Sequence, residues 1–248
     1  MTTFTNFSDL LPDPNNKINA AGATDASGSA GPGFAKVKFS SQNQVQVSRT
    51  ISGRGVTSSP GYHMWAFDIN YNPLTRAEFE PVASFLESRQ GRLSPFYVIL
   101  PQHSAPQDSA FATFCSSNAI TVATAATAGQ GYLVIKAPVA FSGNPKVGDF
   151  FTITDNADVN HKKAYKVVRV ETDDTYKTSL GNPSQGQTAN TRRRIWTQPP
   201  LSRSTAADAT INFLNPKFRV IQKGDTFEYD LDTDGLYQFS LSLEEILP

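Results

Sequence analysis

Cysteine is almost missing from this 248-residue chain: Cys115 is the one instance, so no intrachain disulfide can form and no thiolate zinc site can be built. Beside Phe114, that lone thiol reads as a small buried hydrophobe. Histidine is nearly as scarce. His63, His103 and His161 are the three, none at metal-ligand spacing. Neither sign of charge is in excess, with 22 Lys and Arg against 22 Asp and Glu, so there is no long-range pull toward nucleic acid or an anionic membrane. Charged residues make up 18%, below the usual ~25%. No run approaches the ~20 apolar residues that span a bilayer. Met1–Leu11 has neither a basic nor an apolar signal region, so the chain is expected to be made and folded in the cytoplasm. Asn6-Phe7-Ser8, a glycosylation sequon, carries no weight without such a signal.

Catalytic signatures are also lacking. There is no Gly-x-Ser-x-Gly elbow and no P-loop, and Gly53-Arg-Gly55-Val-Thr-Ser58 lacks the third glycine of a dinucleotide fingerprint. Glu244 and Glu245 are neighbours on a predicted strand, so they point to opposite faces and cannot act as an acid/base pair. Asp230-Leu-Asp232-Thr-Asp234-Gly235 matches half of a calcium loop, but its twelfth position is Leu241, so the stretch reads as a solvated hairpin turn. The residues thus name no catalytic group, no cofactor and no metal, and the expectation is a protein that is not an enzyme.

What is present is clearest from Trp65 to Pro101. Trp65, Phe67, Ile69 and Tyr71 alternate with Ala66, Asp68 and Asn70, the period of a half-buried strand. Asn72-Pro73 breaks it. Thr75 and Glu78 have capping-box spacing, with Leu74 and Phe79 at the hydrophobic-staple positions. Phe79, Val82, Leu86 and Arg89 then recur at helical spacing, and Gly91 is the expected stop. Pro81 should kink this helix or move its start. Pro95–Pro101 is an apolar run framed by prolines, read as a buried strand.

Around this unit the texture varies. Leu11–Gly33, rich in Pro, Asn, Ala, Gly and Ser, reads as an extended arm or loop. Phe34–Ile51 alternates loosely and predicts a hairpin turning at Ser40–Asn43, with Gly53–Gly61 a loop. After Pro101, His103–Ala110 is irregular. Ile120–Val122, Tyr132–Lys136, Val147–Thr154 and Ala164–Val170 are short strands separated by turn signals. Thr178–Pro200 reads as a loop. Phe218–Gln222, Thr226–Leu231 and Leu236–Leu243 are strands, with Asp234-Gly235 as the hairpin turn between the last two.

Two basic stretches stand out. Arg192, Arg193 and Arg194 precede Trp196, an arrangement that suits a loop surface or a salt-bridging subunit contact better than a phosphate track in a neutral chain. Lys162-Lys163 has the same surface reading.

The strand Trp65-Ala-Phe-Asp-Ile-Asn, the helix with Phe79, Phe85-Leu86-Glu87 and Gly91, the run Pro95-Phe96-Tyr97 closed by Pro101, and the end Tyr237-Gln-Phe-Ser-Leu-Ser-Leu-Glu244-Glu245 occur in an order that resembles the distal tail and minor tail protein M family of tailed bacteriophages. The resemblance implies a mainly β chain: a tail-tube-like β-sandwich or barrel with one flanking helix over about residues 75–90, plus an inserted small all-β module. The implied domains are an N-terminal arm over 1–33, the tail-tube-like domain over 34–102 and 206–248, and the inserted module over 103–205. Short members of the family run almost directly from the helix–strand unit to the last strands, so the insertion is a departure, one the distal tail proteins allow. The implied function is a structural virion protein of the tail tip or baseplate. It would form a homo-oligomeric ring, a hexamer on the distal-tail reading, that joins tail tube to hub and can hold tail fibres. No specific nucleic-acid or membrane contact is expected; the open β edges would pair with the next subunit, and the long N-terminal arm and the Arg192 loop would embrace the neighbours. A receptor- or carbohydrate-binding tail module, with Trp196 and tyrosines stacking on sugars, is the alternative. A tail-associated cell-wall hydrolase is the second, opposed by the lack of an acid/base pair.

Overall fold

The computed structural model describes residues 9–13, 31–58, 63–172 and 190–248. Among them the chain is mainly β, and it divides into two compact units. One runs to Val98 and resumes over Arg219–Ile246, and the other spans Ile99–Phe218 with Leu247–Pro248.

In the first unit the alternation of residues 63–71 is decisive. Trp65, Phe67 and Ile69 are fully buried, and this strand is an interior member of a five-stranded sheet. The elements in chain order are β1 (Phe34–Asn43), β2 (Gln46–Arg49), β3 (Gly55–Ser58), β4 (His63–Tyr71), α1 (Arg76–Ser88) and β5 (Phe96–Val98). The second unit contributes a 3-10 turn (Pro101–His103), α2 (Ser109–Ser117), β6 (Ile120–Val122), β7 (Tyr132–Lys136), β8 (Phe150–Thr154), β9 (Ala164–Glu171), β10 (Arg192–Gln198) and β11 (Thr210–Asn212). The chain then returns with β12 (Phe218–Gln222), β13 (Asp230–Leu231), β14 (Tyr237–Gln238) and β15 (Ser240–Glu245). The sheet order is β1-β4-β15-β12-β5, so the last strand lies between two earlier ones.

Helix α1 starts where its cap chemistry places it. The Glu78 carboxylate accepts from the Thr75 backbone N–H at 3.0 Å and from the Thr75 hydroxyl at 2.7 Å. Leu74 and Phe79 are both buried, as a staple requires. Pro81 sits inside the helix without moving its start from Arg76. The left-handed stop comes one residue before the expected glycine: Gln90 has φ 53°, and Gly91 follows at 64°.

Several expectations are corrected. The hairpin does not turn at Ser40–Asn43. β1 runs unbroken through those polar residues because β4 pairs along its whole length, from Phe34↔Tyr71 to Asn43↔His63. The turn lies at Thr50–Arg54, between β2 and β3, so the expected loop over Gly53–Gly61 contains a strand. The strand expected over Thr226–Leu231 shortens to its last two residues. The alternation of Leu236–Leu243 is split between β14 and β15.

In the second unit six strands close into an antiparallel barrel in the order β10-β7-β6-β11-β8-β9. Its core holds Phe111, Phe151, Phe213, Tyr165 and Ile195. The all-β expectation for 103–205 is corrected by α2. The Asp108 carboxylate caps this helix, accepting from Ala110 N–H at 3.0 Å and Phe111 N–H at 3.3 Å, and Phe111 then packs edge-on to Phe213. The loop expected over Thr178–Pro200 ends in strand β10, whose inward residue Ile195 is fully buried. The rest of that expectation, most of the N-terminal arm and the sequon lie outside the described residues.

Candidate interaction surfaces

The residues singled out from the sequence lie on β10, in the wall of the barrel. Arg193 and Arg194 are buried, 2% and 6% exposed, so neither presents a surface for a neighbouring subunit. Arg192 and Trp196 keep partial exposure. Arg194 lies directly across from Glu171 on β9 and forms a buried ion pair with it. The outward row Tyr132–Trp196–Arg169 runs across β7, β10 and β9, and the guanidinium groups of Arg169 and Arg194 lie 5.6 and 5.8 Å from the Trp196 ring centre. Arg193 turns toward the end of the barrel, donating to Asn144 Oδ1 and Asn190 Oδ1 at 2.6 Å each and covering Phe141. Charged side chains on a strand escaped the sequence reading because β10 is buried by pairing its charges rather than by excluding them. Lys163, read as surface, is likewise buried.

Among the described residues, no group of three metal-ligating side chains converges. His161 accepts or donates at Tyr165 Oη over 2.8 Å, and Tyr165 Oη contacts Ser202 Oγ at 2.9 Å. Burial holds the imidazole of His161 below its usual range, against the pull of Asp158 and Asp155. His103 lies against Phe150, and its imidazole is lowered by burial and by Lys166. His63 contacts Ser41 Oγ at 2.9 Å in the other unit. Burial pushes the Cys115 thiol up to about 12, which makes it a poor nucleophile. Glu245 is buried and accepts from the Trp65 backbone N–H at 3.1 Å, a structural bond inside the sheet.

The sheet edges of the first unit are unequal. At β5, residues 9–11 form a strap. Leu10 makes a parallel bridge to Tyr97, Tyr97 N–H donates to the Asp9 carbonyl at 2.6 Å, and Leu11 N–H donates to the Tyr97 carbonyl at 2.9 Å. Arg89 pairs with Asp9 at 2.9 Å. Leu10 and Leu11 are buried, worth at most roughly 1.5–3 kcal/mol each. Gly31 closes against this strap, since a Cβ there would meet the Pro12 carbonyl carbon at 2.4 Å. At the opposite edge, the strand partner of β1 among the described residues is β4.

From β1 the chain runs into β2 and β3, a two-stranded ribbon in which, among the described residues, each strand pairs with the other alone. All eight strand residues of the ribbon are exposed. Val47 and Val56 point to opposite faces, because Val47 pairs with Thr57 and Ser48 with Val56. The ribbon's valines are therefore divided between its two faces. Its tip is ordered by Thr50 N–H to the Arg54 carbonyl (3.0 Å), Gly53 N–H to the Thr50 carbonyl (2.9 Å) and Arg54 N–H to Thr50 Oγ1 (3.1 Å). This turn holds Ile51 fully exposed. Val45 and Val47 at period-2 spacing before Ser52-Gly53, with Val56 after it, were the sequence signal for the ribbon, masked by the polar run before it.

A second surface lies at the β13–β14 flap. Tyr237 stacks on Phe79 of α1 at 4.4 Å and Tyr229 tilts against the same ring at 4.9 Å, while Leu231 remains 60% exposed. The turn is the expected one: Asp232 N–H donates to the Leu236 carbonyl at 2.9 Å, and Gly235 has φ 75°.

No family model matches the chain, and no curated protein matches it.

Proposed function

We propose that this protein is a structural subunit of a tailed-bacteriophage tail tip or baseplate, assembling head-to-tail into a ring between tail tube and hub. The ribbon β2–β3 carries this reading. An isolated two-stranded ribbon is marginal in water, yet this one has an ordered tip and apolar side chains on both faces. Such an element is stable in use only when another chain covers it. The sheet flanked by a single capped helix and the order of elements that resembles the distal tail family support the same reading. No step of chemistry is required of such a subunit. Its needs are a rigid β core and two different surfaces related by a rotation that closes.

The test is the mass of the purified chain by light scattering, with negative-stain images, alone and mixed with a tail-tube protein. Closed rings in either sample support the proposal. A monomer in both samples at all concentrations overturns it.

A further inference from the structure

The first unit carries two exposed apolar surfaces of opposite charge. Residues 46–58, the ribbon, hold two arginines and no acid, whereas residues 226–238, the flap, hold four acids and no base. On the ribbon, Val47 (65% exposed), Ile51 and Val56 are accompanied by Arg49 and Arg54. On the flap, Tyr229 (49%) and Leu231 are accompanied by Glu228, Asp230, Asp232 and Asp234, all exposed. No described ion pair uses Arg49, Arg54, Glu228, Asp230 or Asp234. Ile51 is held on a prearranged turn, and Tyr229 is fixed against Phe79, so both surfaces lose little freedom on contact.

We propose that the ribbon of one copy docks on the flap of the next copy of this chain, with Ile51 and Val47 against Tyr229 and Leu231 and the arginines among the acids. The occupant is a second copy because both complementary halves reside on one chain, which is the condition for a head-to-tail contact. The flat, apolar but uncharged alternative would aggregate without register. Opposite charges flanking apolar anchors instead select one partner surface and speed its capture. This inference rests on the ring reading and names the surfaces that make the ring.

The experiment uses the full chain and measures self-association by light scattering at low and high salt, with tail-tube protein added if the wild type needs it. Arg49→Glu with Arg54→Glu should weaken association at least about tenfold. Glu228→Lys with Asp230→Lys should do the same. The chain carrying all four substitutions should regain it, a recovery that loss of folding cannot imitate. Association that ignores the paired reversals, or a fourfold variant that stays monomeric, overturns this docking while leaving the ring itself standing. A wild type that never associates overturns both.

Discussion

Replacing Glu171 with alanine tests the account of the barrel wall most directly. Glu171 and Arg194 are 3% and 7% exposed at their side chains and face each other in register on β9 and β10. Removing the carboxylate leaves a guanidinium in a site built for a neutral pair. Breaking a buried pair from one side costs about 3–5 kcal/mol. Arg169, whose side chain is 62% exposed, also loses its partner at 2.7 Å, but that adds under about 1 kcal/mol. Hydrogen exchange of the β9 and β10 amides reads the effect locally. Exchange limited by opening of the barrel should quicken roughly a hundredfold to several-thousandfold, at 1.4 kcal/mol per factor of ten. The paired change Glu171→Leu with Arg194→Met should recover most of the loss, since Val134, the neighbour of Arg194 on β7, already makes this face apolar. Exchange within about fivefold of wild type in Glu171→Ala would show that water or other groups solvate Arg194, and the account of a buried pair would fail.

Acidification should weaken the barrel before its carboxylates titrate. His161 and His103 are held below 6.5 in the fold, so the unfolded chain takes up protons first, and their contribution is full above that value and lost as pH falls through the folded pKa. Calorimetry from pH 7.5 to 5 should show a falling transition temperature, with a flatter slope in His161→Gln; an unchanged slope would remove His161 from the explanation. Cys115, raised to about 12, should alkylate at pH 8 roughly a thousandfold more slowly than a free thiol, until denaturant is added. Thr75→Ala removes the capping hydroxyl of α1 and should cost about 1 kcal/mol, seen as faster exchange of the first-turn amides, with Thr75→Ser close to wild type.

The sequence was most readable where one period dominated. Residues 65–71 alternate strictly and form β4, and the Thr75/Glu78 box marks the start of α1 to the residue. Reading failed where polar residues occupy regular structure. β1 passes through Ser40, Ser41, Gln42 and Asn43 because its partner strand supplies the bonds, which local composition cannot report. α2 has only Phe111 and Phe114 buried among serines, threonine and alanines, too few for a helical stripe, although Asp108 at its cap was a usable signal. The arginine run on β10 looked like a solvated loop because its neutralising partner, Glu171, lies on another strand 23 residues earlier. The candidate surfaces were half visible. The acidic flap was recognised as a turn, and the ribbon was hidden by a hairpin placed ten residues too soon.

The strap at β5 guards one side of the sheet. With residues 9–11 in place, the backbone of Tyr97 is already paired, so a strand from another molecule can add there only by displacing them. A protease that trims the first eleven residues would unmask that strand. The bared backbone would then be a template for a foreign strand, visible as thioflavin-positive aggregate from a protein whose other elements stay folded.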